Sequence, residues 1–185
     1  DLHYFPNRRS SDLMIAQYVS GNGSAYTKQA HALLQKWEVR LPRINNANVS
    51  AYYYFVLGNY YKYYGNEVEP FLKANQDALV AVNLAYDETK QLLLGRIICE
   101  IGLAYMEDNK FDKALANYDE AFALSNDIFV KPYFHSGNYF YSGICSGQPQ
   151  RARQVFDTYL KQYLDDSRDR GLRFDVLHMK FILML

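Results

Sequence analysis

Histidines are the side chains best suited to acid–base or metal chemistry near neutral pH, and this chain has four of them. They are His3, His31, His135 and His178. No two of them stand at the spacing of a metal-binding pair, and the sequence contains no HExxH, CxxC or GxSxG motif. The sequence therefore predicts a protein that is not an enzyme and that uses no metal or cofactor.

Paired carboxylates are another common source of catalytic chemistry. Three such pairs lie at predicted helix ends or turns, at Glu67/Glu69, Glu107/Asp108 and Asp165/Asp166. Charges in these places are usually solvated, so we expect no catalytic role for them. The two cysteines, Cys99 and Cys145, fall inside helical patterns. For both we expect small buried side chains rather than a disulfide.

The composition sets limits on the class of protein. The 185 residues are enough for one domain or a short repeat array, and 49% of them are apolar, so a sizeable core can form. Twenty Lys and Arg balance twenty Asp and Glu, which argues against a general nucleic-acid binder. No apolar run reaches the roughly 18 residues of a membrane span, and no signal peptide opens the chain.

The stretch from residue 94 to residue 126 reads as two amphipathic helices joined by a short polar turn. Gly102 in the first helix and Ala114 in the second are small where the two helices would cross closely. Tyr105 and Tyr118 would fill the space beside that crossing. A single hairpin of this kind cannot bury its apolar face alone, so the pattern predicts similar hairpins stacked on both sides of it.

This stretch resembles a tetratricopeptide repeat, a two-helix unit with residues of a given size at fixed positions. Its marker positions are filled by Ile98, Ile101, Gly102, Tyr105, Ala114, Tyr118 and Ala121. The small residue of the second helix recurs at Ala30, Ala74 and Ala152. The resemblance implies an all-α fold, a right-handed superhelix of antiparallel helix pairs over residues 24–185. Residues 1–23 are expected to form an irregular segment with one short helix at 13–19.

Apolar periodicity places the helices of this array. They are predicted at 24–41, 48–64, 68–86, 88–107, 111–125, 132–145, 151–164 and 171–185, with a break at 42–46. The apolar run at 182–185 has no partner helix after it. We expect either that the array continues past Leu185, or that a homodimer through the C-terminal helix covers this run.

In tetratricopeptide arrays the first helices of successive pairs line a concave groove, and the resemblance implies a ligand-binding groove here. Its predicted ligand-binding residues are Tyr52, Phe55, Asn59, Lys62, Arg96, Lys131, Phe134, Asn138 and Tyr141. The same stripes include Cys99, Leu103 and His135. Arg96 and Lys131 are placed to hold a ligand carboxylate, with solvated surface cations as the alternative.

Asn59 and Asn138 directly follow Gly58 and Gly137. By resemblance, tetratricopeptide receptors use an asparagine after this glycine to hold a peptide backbone, and an amide can donate and accept hydrogen bonds at once. The alternative is that both asparagines are half-exposed helix residues bonded to their own neighbours.

These features predict non-catalytic binding of a peptide or protein segment, in the sensor or interaction region of a larger bacterial regulator. The long, tyrosine-rich repeats resemble ligand-sensing domains of bacterial signalling proteins and peptide-sensing transcription regulators. The alternative is a scaffold that organises a multiprotein assembly through its outer surface. We expect no direct nucleic-acid contact and no membrane span in this chain, and a cytoplasmic location, either free or as part of a membrane-anchored sensor.

Overall fold

A computed structural model describes residues 23–64, 67–124, 133–164 and 170–184, and within these ranges the protein is all-α, as the sequence predicts. The helices are α1 (Gly23–Glu38), α2 (Leu41–Ile44), α3 (Ala47–Tyr64), α4 (Val68–Asn83), α5 (Asp87–Glu107), α6 (Phe111–Leu124), α7 (Tyr133–Cys145), α8 (Pro149–Val155) and α9 (Arg170–Ile182). The predicted helix at 13–19 lies outside the described residues. So does the predicted irregular segment 1–23, apart from Gly23, which begins α1.

The start of α3 is fixed by local side-chain chemistry that also positions α5. Asn46 caps α3, because its Oδ1 accepts hydrogen bonds from the backbone N–H groups of Asn48 at 3.0 Å and Val49 at 3.2 Å. The side chain of Asn48 accepts a 2.9 Å bond from the backbone N–H of Tyr86, directly before α5. This bond ties the starts of α3 and α5 together across the intervening helix α4.

The predicted break at 42–46 is wrong for its first residues. Leu41–Ile44 form one helical turn, α2, with Pro42 in the first turn, where its missing N–H needs no partner. The helices are interrupted instead at residues 39–40, between α1 and α2, and at Asn45, whose φ of 44° lies in the left-handed region. Asparagine tolerates this conformation better than most residues, so the helix stops there.

The segment predicted as a helix at 151–164 is helical throughout, but it is not a single α-helix. The segment begins at Pro149, and after Val155 it changes into a π-helical stretch, Phe156–Leu160, and then into a 3-10 turn, Lys161–Leu164. Phe156 and Leu160 are both buried in the core. All three helix types repeat every three to five residues, so apolar spacing alone does not distinguish them.

Packing is strongest between helices that follow one another in the chain. Each helix from α3 to α7 packs against the next, and α3 also contacts α5 while α5 contacts α7. Most of α5 is buried as a result, from Thr89 to Ala104. The main core cluster joins buried side chains of α5 to α9, and a second cluster joins α3, α4 and α5.

Small residues sit where the two helices of a pair cross. A Cβ atom placed on Gly102 would lie 3.2 Å from ring carbons of Tyr118 and 3.4 Å from the carbonyl oxygen of Ala114, as the sequence predicts for this crossing. In the next pair the close crossing is at Gly143, where a Cβ would lie 3.1 Å from the backbone nitrogen of Ala152. Gly137, which precedes Asn138, does not lie at this crossing but faces Met179 of α9.

Two glycine-to-alanine substitutions within α7 test this register. We expect Gly143→Ala to lower the free energy of unfolding by about 1–3 kcal/mol, because the new methyl group meets the backbone of α8, which can yield only if the helices separate. Gly137→Ala is the matched control, since its Cβ would meet the Met179 Cε atom at an ordinary 3.4 Å. It should be neutral or stabilise by about 0.5–1 kcal/mol, because alanine is the better helix former. If urea unfolding showed equal changes in the free energy of unfolding for both variants, the close crossing would not lie at Gly143.

Candidate functional site

The helices α3, α5 and α7 are the first members of successive pairs, and α5 contacts both α3 and α7. We call their shared surface the inner face. Seven predicted ligand-binding residues lie on these helices with described side chains, and each is half-buried: Tyr52, Phe55, Asn59, Lys62, Arg96, Asn138 and Tyr141. Lys131 and the side chain of Phe134 lie outside the described part of the chain. A half-buried side chain is held by its neighbours and still offers surface to a ligand.

An ion pair crosses the inner face from α3 to α5. Lys62 Nζ donates to the two carboxylate oxygens of Glu100 at 2.8 and 3.1 Å, and each side chain is only 10% exposed. Both charges have therefore lost most of their water, and each depends on the other for compensation. Glu100 is not among the predicted ligand-binding residues, although it is the one charged residue among the apolar and small residues from Ile97 to Ala104.

His135 of α7 lies near this ion pair, whose charges act on its imidazole. Burial lowers the pKa of its imidazole; the carboxylate of Glu100 opposes this shift, and the cations Lys62 and Arg96 add to it. His135 is therefore neutral near pH 7. We call Lys62, Arg96, Glu100 and His135 the polar cluster. Three helices that are far apart in sequence contribute to it, which is why spacing along the chain did not reveal it.

The two asparagines do not offer their amide donors to a ligand in this arrangement. Asn59 Nδ2 donates to the carbonyl oxygen of Phe55 in its own helix at 3.0 Å, which is the alternative considered for it. Asn138 Nδ2 is buried beside the hydroxyl of Tyr118 on α6, and neither atom meets a partner with good hydrogen-bond geometry. Asn138 does not match Asn59 structurally, since the close crossing of α7 lies at Gly143. Their use by a ligand stays a prediction.

Part of the predicted groove-facing stripe on α5 is buried. Cys99 and Leu103 are buried, and burial raises the pKa of the Cys99 thiol, so this cysteine packs as a small apolar side chain, as predicted. The same prediction is wrong for Cys145, which is exposed. Cys145 is the last residue of α7, beyond the crossing at Gly143, so α8 does not cover it.

Helix α3 is rich in tyrosine. Tyr52 and Phe55 pack against the core cluster of α3, α4 and α5. Tyr60 hydrogen-bonds through its hydroxyl to His31 Nδ1 at 3.1 Å, and its ring packs at 5.2 Å from that of Tyr64. Tyrosine combines apolar area with a polar tip and few rotatable bonds, which suits it to contact with a peptide.

Within residues 23–64, 67–124, 133–164 and 170–184, no group of three or more His, Cys, Asp or Glu side chains comes together in a way that could hold a metal ion. Among the described helices, none combines the length and apolar character needed to cross a bilayer. Comparison with protein-family models and with curated proteins gives no match. The function is therefore argued from the inner face itself.

The buried imidazole predicts a pH dependence of stability. The folded-state pKa of His135 lies below its ordinary value of 6.5, so on acidification the unfolded chain binds this proton first. The contribution to stability is therefore lost as the pH falls below about 6.5. Burial acts in the opposite direction at Glu107, where a raised carboxyl pKa favours the folded state on acidification.

We therefore expect His135→Gln to reduce the loss of stability between about pH 6.5 and pH 5, measured by urea unfolding at several pH values. His178→Gln, at an exposed histidine of α9, is the control and should leave the pH profile unchanged. Parallel profiles for the wild type and His135→Gln would contradict the burial of a neutral imidazole.

Proposed function

We propose that this chain is a tetratricopeptide-like, non-catalytic binding domain that holds a peptide or protein segment along the inner face. The observation that supports the proposal is the contact of α5 with both α3 and α7, since half-buried aromatic, amide and cationic side chains are found on these three helices. Stacked helix pairs of this kind create extended binding surfaces as the array curves. The right-handed superhelix is part of this proposal.

The preferred ligand is a peptide that carries a carboxylate. Lys62 and Arg96 place two cations on the inner face, and Glu100 is paired with Lys62 while His135 is neutral. Among its own four members, the polar cluster therefore carries two positive charges and one negative charge near pH 7. Arginine presents several donors in a planar fork that matches a carboxylate. In this proposal the chain serves as the sensor region of a larger, cytoplasmic bacterial regulator of signalling or transcription.

Selection from a random peptide library displayed on phage tests the proposal, followed by titration of the enriched synthetic peptides. We expect enrichment of acidic peptides, with affinity reduced about tenfold by Arg96→Gln and several-fold by Asn59→Ala. Val80→Ser, at an exposed residue of α4, is the control variant and should bind like the wild type. Enrichment of peptides without acidic residues would contradict the proposal. An affinity that Arg96→Gln leaves unchanged would contradict it as well. Thermal melts confirm that each variant is folded.

A scaffold that binds through its outer surface is the second candidate, and exposed apolar residues favour it. Val80, Leu84 and Tyr86 are exposed at the end of α4 and in the turn after it, and Leu124 is exposed at the end of α6. In the same titrations this candidate predicts the opposite result. Val80→Ser or Leu124→Ser would then weaken binding, and Arg96→Gln would not.

A further inference from the structure

Helix α9 carries two apolar faces. One of them packs on the protein, because Val176 and Met179 are buried in the main core cluster and Leu172, Ile182 and Leu183 pack against it. The end of the helix is also anchored to α8, since Arg153 Nη2 donates to the carbonyl oxygen of Leu183 at 2.7 Å. These contacts hold the inward side of α9 against the protein. They therefore fix which side of the helix faces solvent.

The second apolar face of α9 points to solvent. Phe174, Leu177, Phe181 and Met184 are 70%, 47%, 53% and 68% exposed. Met184 lies in the turn after α9, and the other three lie on the helix itself. We call these four residues the outer stripe. They follow one another at intervals of three, four and three residues, which is the spacing of a helix seam that packs against another helix. Single exposed apolar residues are common on protein surfaces, but a regular stripe with two phenylalanines indicates an interface.

The charges beside the outer stripe are positive. Arg173 and Lys180 lie along one flank of it, seven residues apart, and both are exposed. The one acidic residue between positions 170 and 184 is Asp175, which faces away toward α7, where burial and the charge of Asp175 together raise the pKa of Tyr141. The guanidinium of Arg153 adds a further positive charge at the end of α9.

This charge distribution selects among the possible occupants of the stripe. A second copy of the chain would bring cationic flanks together, with no acidic residue of α9 on that side to compensate them. A membrane surface favours a helix with a broad apolar face, whereas this stripe is a narrow seam, and the remaining apolar residues of α9 pack on the core. A helix with a narrow apolar seam between acidic flanks matches both the outer stripe and the positive charges beside it.

We propose that the outer stripe of α9 docks an amphipathic helix of a partner protein, one whose apolar seam is flanked by aspartate or glutamate. Phe174 and Phe181 enter the spaces between apolar residues of the partner helix, and Arg173 and Lys180 pair with its acidic flank. This interface lies on a different helix from the inner face. It is independent of peptide binding there.

Two designed peptides of about three heptads serve as probes, both with Leu at the a and d positions, one with Glu and the other with Lys at the e and g positions. We expect the Glu peptide to bind the wild-type chain at least about tenfold more tightly in fluorescence anisotropy, with a preference that weakens at high salt. Phe181→Ser should weaken binding of the Glu peptide about tenfold. The double variant Arg173→Glu/Lys180→Glu should reverse the preference in favour of the Lys peptide.

Leu33→Ser removes an apolar residue of α1 that is 45% exposed, comparable to Phe181, and should leave binding of both peptides unchanged. The charge variant keeps all four apolar residues, so it tests the proposal even if Phe181→Ser disturbs α9, which circular dichroism would reveal. Three outcomes would overturn the proposal. These are equal affinity for the two peptides, a dimer in light scattering that Phe181→Ser dissociates, and binding to vesicles of phosphatidylcholine and phosphatidylglycerol that Phe181→Ser abolishes while neither peptide binds.

Discussion

Replacing Glu100 by methionine is expected to lower the free energy of unfolding by about 3 kcal/mol. The substitution leaves the Lys62 ammonium largely buried without the carboxylate that now lies 2.8 Å from it. Loss of one partner of a buried ion pair is costly because the remaining charge has neither water nor a counter-charge. The loss stays near the lower end of the usual range, since a tenth of each side chain still meets solvent and Glu107 also lies near Lys62.

The companion variants separate the ion pair from general packing. Lys62→Met should cost a similar amount, and the double variant Lys62→Met/Glu100→Met should be more stable than either single variant, because no unpaired charge remains. Lys73 and Asp77 provide the control, an ion pair within α4 whose side chains are 66% and 35% exposed. Asp77→Ala should cost less than about 0.5 kcal/mol. If the effects of Lys62→Met and Glu100→Met were additive in urea unfolding, the two side chains would not be coupled.

Replacing Gly102 by leucine is expected to cost about 3 kcal/mol or more, and to disrupt the centre of the protein. The Cβ alone would already lie 3.2 Å from the Tyr118 ring and 3.4 Å from the Ala114 carbonyl oxygen. Tyr118 is fully buried and stacks on Tyr139 at a centroid distance of 5.6 Å, so it has little room to move away. The remaining carbons of leucine must therefore separate α5 from α6.

A compensating substitution tests whether Tyr118 is the obstacle. Tyr118→Ala alone should cost about 3–5 kcal/mol through the cavity it leaves. In the double variant Gly102→Leu/Tyr118→Ala the new side chain occupies part of that cavity, so the total loss should be clearly smaller than the sum of the two single losses. An unchanged melting temperature for Gly102→Leu would show that the helices do not cross closely at this residue.

Only part of the polar cluster could be predicted from the sequence. Lys62 and Arg96 were identified as ligand-binding candidates because the repeat pattern leaves them outside the apolar stripe. Their association with Glu100 and His135 depends on contacts of α5 with α3 and with α7, which follow from packing and not from spacing. Asn138 was predicted to bind a ligand because it follows a glycine, and its actual surroundings likewise depend on helix packing. The tight turn after Cys145 shifts the crossing to Gly143, and Asn138 comes to lie beside Tyr118.

Local pattern alone was sufficient for the all-α class, for most helix bounds and for the crossing at Gly102, because each depends on residue size and on spacing within one hairpin. Tertiary structure decided which polar side chains lose their water and which partners they then find, as in the ion pair of Lys62 and Glu100. It also decided that α9 buries Val176 and Met179 while Phe174 and Phe181 stay exposed. Both faces of α9 are apolar in sequence, and only the position of the neighbouring helices determines which one is covered.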